Sequence, residues 1–158
     1  MATLFLRRLA DLLRSGFLRV TGRSRPRMRG MRGVGEAWED LAAKHLERAG
    51  YRILERNFRA KPGEIDFVAK DGDVICFIEV KGRRGLRFGR PAEAVGPEKQ
   101  RRIFRAAEAW IRRRRPETGP RRFDVVSILE RDGETAVEIL RSAFEGPVPP
   151  RRRPGLSH

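Results

Sequence analysis

The chain has 158 residues, enough for one domain of ordinary size, and 39% of them are hydrophobic, enough for a core inside a shell in which 36% are charged. A single cysteine, Cys76, excludes an intramolecular disulfide and fits a reducing cytoplasm, and no run approaches the roughly 18 apolar residues of a membrane span. The formal charge of +15 fits a polyanionic partner, nucleic acid ahead of an anionic membrane, because each neutralised phosphate releases condensed counterions.

That charge is concentrated at the ends: residues 1–33 carry +8 and the stretch from Glu145 carries +2, leaving +5 for residues 34–144. Residues 1–33 read as a basic, flexible extension. Leu6, Leu9, Leu13 and Phe17 keep helical spacing, but Arg7 and Arg8 break any signal-peptide core and residues 21–33 are too polar to fold alone. The domain spans 34–144. Trp38, Leu41, Ala42, His45, Leu46 and Ala49 recur at helical steps up to Gly50, with His45 read as packed in the stripe. Three strand-like segments follow, Tyr51 to Phe58, Glu64 to Ala69 and Asp73 to Lys81, the last two joined at Asp71-Gly72, a hairpin signal. Cys76 lies in the apolar run of the third and reads as a packed small hydrophobe.

Residues 82–91 form a Gly/Arg loop. Pro97 then opens a long helix with Ile103, Phe104, Ala107, Trp110 and Ile111 as its buried stripe. Phe123 to Leu129 and Thr135 to Leu140 are strands around a second Asp-Gly turn, and residues 145–158 form a disordered Pro/Arg tail. The order is α-βββ-α-ββ, an α/β (α+β) domain.

Glu64, Asp66, Glu79 and Lys81 carry the chemistry. Side chains alternate along a strand, so Glu79 shares a face with Lys81, and Glu64 with Asp66. A two-residue Asp71-Gly72 loop pairs Lys70 with Asp73, hence Asp66 with Phe77 and Glu64 with Glu79, with Asp66 and Glu79 diagonal. Carboxylates gathered in this way repel, and a divalent cation beside Lys81 relieves them; oxygen-only ligands suit Mg²⁺ or Mn²⁺. The bland alternative is a solvated strand edge. Against it, Val74 to Val80 is apolar on both faces, as in a covered central strand.

Asp66 followed by Glu79-Val80-Lys81 resembles the signature of the PD-(D/E)XK nuclease superfamily. With Gly63-Glu-Ile-Asp66, Phe77-Ile-Glu-Val-Lys-Gly-Arg83, Ala94 to Ile103, Arg122-Phe-Asp-Val-Val126 and Gly50 to Arg59, the ordered set resembles the YraN family of bacterial proteins, related to archaeal Holliday-junction resolvases. The likeness spans residues 34 to about 144. It implies a restriction-endonuclease-like core, a central mixed five-stranded sheet flanked by helices, and an acidic residue on the first helix. Counting back from Gly50-Tyr51 puts that acid at Glu39, with Glu36 the runner-up. Ile65 stands where the superfamily's name has proline, and Trp38 where many relatives have glycine.

The resemblance implies metal-dependent hydrolysis of phosphodiesters in structured or branched DNA, with Asp66, Glu79 and Glu39 holding Mg²⁺ or Mn²⁺ and Lys81 stabilising charge. The alternative is a nucleic-acid-binding module that keeps the fold without the catalysis. Lys99 and Gln100, one turn into the long helix, reach toward the site, while Arg83, Arg84, Arg87, Arg101 and Arg102 hold phosphates. By analogy with junction resolvases a homodimer is expected.

Overall fold

The computed structural model describes residues 30–61, 63–84, 95–116, 119–131 and 134–146. The basic stretch 1–29, Arg87 and most of the Gly/Arg loop, the Asp132-Gly133 turn and the tail from Pro147 lie outside the described residues. Helix α1 (Gly30–Arg48) leads into strands β1 (Arg52–Ala60), β2 (Gly63–Asp71) and β3 (Val74–Arg84). Helix α2 (Pro97–Arg114) and strands β4 (Arg121–Arg131) and β5 (Glu134–Phe144) follow. The expected α-βββ-α-ββ order holds, although α1 starts at Gly30, ahead of the 34–144 domain. Once a helix is nucleated, each added residue gains a hydrogen bond, so even glycines can extend it.

The sheet runs β1-β2-β3-β4-β5 and is mixed: only β3 and β4 pair in parallel. A parallel pair needs a crossover connection, and α2 lies within it. Among the described residues each face is covered by one helix. Ile103, Ala106, Ala107 and Trp110 of α2 pack with Phe58, Ile65, Val68, Ile75, Phe77 and Val125. Ala42, Ala43 and Leu46 of α1 pack with Tyr51, Phe67, Ala69, Cys76, Ile78, Val126 and Ile128 on the opposite face. Adjacent residues such as Phe77 and Ile78 thus enter different cores, which explains why β3 reads apolar on both sides. The stripe of α2 is rotated slightly from expectation: Ala106 and Ala109 are buried, while Phe104 and Ile111 sit half-buried at its margins.

The ends of the helices are set locally. At the end of α1, Gly50 adopts φ 90°. Its N–H donates to the Glu47 carbonyl at 3.0 Å and the Tyr51 N–H to Leu46 at 3.0 Å, a Schellman closure that delivers Tyr51 into the core. Pro97 occupies the first turn of α2, and Arg115 in the left-handed region ends it, its N–H bonded to the Ile111 carbonyl.

The β2–β3 register corrects the expected one. Asp71 pairs with Val74, Lys70 with Ile75 and Phe67 with Ile78, so the loop is Gly72-Asp73. Gly72 has φ 60°, and a glycine in the first central position suits a II′ turn, whose twist matches the strands. Extending the register puts Asp66 directly opposite Glu79, not Phe77.

Candidate functional site

The site forms where β2 and β3 part. Their described ladder ends at Phe67–Ile78, and beyond it the Val80 N–H donates to Asp66 Oδ2 at 2.7 Å. The aspartate thereby occupies a place that a strand carbonyl would otherwise fill. Regular alternation also fails here: Ile65 and Val68, three apart, share the cluster beneath α2, and across from this stretch Asn57 has φ 52°. The kink aims Asp66 at Glu79.

Glu79 is only 4% exposed. Its Oε1 pairs with Lys81 Nζ at 2.8 Å and with Lys99 Nζ at 3.1 Å, whereas its Oε2 is buried with no hydrogen-bond partner. An unsatisfied buried carboxylate oxygen costs free energy and calls for a ligand. Asp66 feels the same crowding. Burial first, then the neighbouring Glu79 charge, push its carboxyl up to about 7, against the Val80 N–H and Lys99, with Glu39 adding to the rise.

The two carboxylates and two lysines come from β2, β3 and α2, with Lys99 paired to Glu79 at the acidic centre. Glu39 is within electrostatic reach of Asp66, yet its Oε2 accepts from Asn57 Nδ2 at 2.9 Å. Among the described residues no three His, Cys, Asp or Glu side chains stand together as a group fit to hold a metal ion. The expected convergence of Glu39, Asp66 and Glu79 is therefore narrower than the sequence suggested, because Asn57 draws Glu39 aside. A donor set of Asp66 and the orphaned Glu79 oxygen nonetheless fits a hard divalent cation, which prefers carboxylate oxygens and keeps water for its remaining positions.

The remaining expected residues divide. Glu64 is exposed and lies 3.7 Å from Arg59, and Glu36 is exposed. Gln100 donates to the Val95 carbonyl at 2.8 Å, bracing the entry to α2. Arg101 is exposed, and Arg102 pairs with Glu98 at 2.5 Å. Arg83 is half-buried at the end of β3, and Arg84 ends that strand without a described side chain. His45 is half-buried, with a pKa lowered by burial and then by Arg48. Burial first and then Asp124 push the Cys76 thiol up to about 12, leaving it inert as a nucleophile.

Two glycines of the motifs prove to be packing requirements. A Cβ on Gly82 would lie 1.8 Å from the Trp38 ring, so Trp38 rests on the backbone just past Lys81. A Cβ on Gly63 would lie 2.4 Å from the Arg102 carbonyl oxygen, where β2 passes under α2.

Near the β2–β3 hairpin is a second buried acid, unassigned by the sequence. Asp124 is fully buried and accepts from Tyr51 Oη at 3.1 Å, Arg122 Nε at 2.8 Å and the Ser142 N–H at 2.9 Å. Arg122 also reaches Asp71 at 2.7 Å, and Arg141 donates to Tyr51 Oη at 3.0 Å. An aspartate inside the apolar Phe123 to Val126 run was the available signal.

A family model described as uncharacterised protein family UPF0102 matches residues 38–128, a span holding Glu39, Asp66, Glu79, Lys81 and Asp124. A UPF0102 protein of Symbiobacterium thermophilum is 48% identical over 114 residues, covering 72% of this chain and 97% of that protein. One from Syntrophus aciditrophicus is 45% identical over 112 residues, covering 71% and 88%. One from Caldicellulosiruptor saccharolyticus is 46% identical over 115 residues, covering 72% and 98%. Among the described residues no helix is long and apolar enough to cross a membrane.

Proposed function

This chain belongs to the UPF0102 family, and we propose that it is a divalent-cation-dependent nuclease hydrolysing phosphodiesters in structured or branched DNA. The observation that carries this reading is Glu79: a buried carboxylate with one oxygen unpartnered, set against an Asp66 whose proton is held to about pH 7. Repulsion of this kind is retained where a cation is to be received.

Mg²⁺ or Mn²⁺, when bound, supplies positive charge for the phosphoryl oxygens and a more acidic water. Asp66 and Glu79 hold it, with Glu39 adding negative charge from α1. Lys81 and Lys99, partly exposed side chains whose ammonium groups pair with Glu79, stabilise charge that develops on the phosphate. The half-buried position of Asp66 keeps the site open to water on one side. A homodimer belongs to the same proposal, since a branched duplex offers two strands related by a two-fold axis.

The test is incubation of a four-way junction, a flap and a single strand with the protein and Mg²⁺ or Mn²⁺. Cleavage is expected, and Asp66→Asn or Lys81→Ala should lower it by about 10²–10³-fold while leaving DNA binding in place. No cleavage of any substrate with either ion, with binding retained, overturns hydrolysis. One observation favours that second reading, a nucleic-acid-binding module: Lys81 and Lys99 already share Glu79 Oε1, which partly compensates its charge without a metal.

A further inference from the structure

A cleft of about 640 Å³ is lined by the end of β1 with Lys61, the start of β2 and one flank of α2. Its charged lining is Arg59, Lys61, Lys99, Arg102, Arg113 and Glu64, five cations against one carboxylate. Such crowding of like charge contributes nothing to folding, and surface pairs such as Arg59–Glu64 at 3.7 Å compensate it weakly. At 100° per residue, Lys99, Arg102 and Arg113 fall within about 60° of one another on α2. They span about 21 Å of its length, enough for several successive phosphates of a strand.

The lining is arranged, not merely charged. The Arg113 guanidinium sits 5.3 Å from the centroid of the Phe58 ring, and its Nη1 donates to the Arg59 carbonyl at 3.4 Å, so its position is set in advance. Gly63 lets β2 close on α2 at the edge of the cleft, because any side chain there would strike the Arg102 carbonyl. Lys99 both lines the cleft and pairs with Glu79 at 3.1 Å, so one end of the cleft adjoins the acidic centre. No aromatic residue lines it among the described residues, which leaves phosphates rather than bases to be held.

We propose that this cleft binds the phosphate backbone of a single nucleic-acid strand and leads it to Asp66 and Glu79, an inference that rests on the nucleic-acid reading above. Its volume is that of a small-ligand pocket, suited to one strand and not to a duplex. Arg59, Lys61 and Arg113 act here as phosphate-binding residues, and the binding is independent of base sequence.

The test measures affinity of the full chain for a labelled single-stranded oligonucleotide by fluorescence anisotropy in EDTA, across a salt series. The Arg59→Glu, Lys61→Glu, Arg113→Glu triple variant should bind at least about tenfold more weakly, with the salt slope reduced by roughly 0.7 for each phosphate that is no longer neutralised. Lys61→Glu alone, at an exposed position, should show part of both effects if Arg113→Glu perturbs folding. Lys44→Glu on α1, exposed as well, should show neither, which separates the cleft from net charge. Unchanged affinity and slope in the triple variant overturn the cleft, even where metal-dependent cleavage persists. Weaker binding in the triple variant, with no cleavage by the parent protein, upholds the cleft and removes only the hydrolytic reading.

Discussion

Glu79 and Asp124 are the two buried acids among the described residues, and they are treated in opposite ways. Asp124 receives a guanidinium, a phenol and a backbone N–H, and the groups that serve it are themselves tied to Asp71 and Arg141. Glu79 receives two ammonium groups on one oxygen and nothing on the other, and faces a second acid. A buried charge that is fully hydrogen-bonded locks a fold, whereas a half-satisfied one stores free energy for a ligand to release. The contrast separates a fully satisfied acid from a half-satisfied one, since burial is alike.

The sharpest way to break this comparison is to remove each acid in turn. Asp124→Ala strands Arg122 beside the core and should cost about 3–5 kcal/mol in urea unfolding. Glu79→Gln should cost under about 1 kcal/mol, because its lysines can reach water, while metal binding measured by calorimetry is abolished. Equal losses of stability would erase the distinction.

A smaller effect is expected beside the site. Gly82→Ala drives a methyl group into the Trp38 ring and should cost about 1–3 kcal/mol through overpacking. Adding Trp38→Ala should recover part of that loss, a coupling that a double-mutant cycle measures. Additive losses would mean that the two residues do not press on each other.

The last effect is in pH. Asp66 binds its proton more tightly folded, at about 7, than unfolded, near 3.9. Its contribution to stability is therefore full below about pH 4 and is lost as the pH rises through 7. The midpoint of the metal-free protein should fall across that window beyond the trend of Asp66→Asn, and Mg²⁺ should reverse the fall at pH 7–8. A curve parallel to that of Asp66→Asn would show that Asp66 is not under strain.

Much of this was legible in the chain. Among the described residues apolar periodicity yields both helices and all five strands, and the alternation of β3 brings Glu79 and Lys81 to one side. The register was not, because Asp71-Gly72-Asp73 allows two loops of the same length, and Asp71 stays outside the positive-φ region that an Asp71-Gly72 turn of type I′ would require. Nor was the pairing of Lys99, which reaches Glu79 across 20 residues of chain from a helix whose rotation depends on packing. The Asp124 network joins Arg122, two residues away on the same strand, to Tyr51, Asp71 and Arg141, whose long sequence separation no local pattern encodes. At Asn57 the left-handed backbone interrupts the alternation of β1, and asparagine is merely one residue that tolerates it.

The indole resting on Gly82 has an optical consequence. The chain contains two tryptophans, and Trp110 is buried on the inner side of α2 with its N–H on Glu55. Trp38 is half-buried, next in sequence to Glu39 and against the backbone that follows Lys81. Replacing Trp110 with phenylalanine would leave Trp38 as the sole indole emitter, a built-in fluorophore whose colour and quenching register what enters the neighbouring centre without any attached dye.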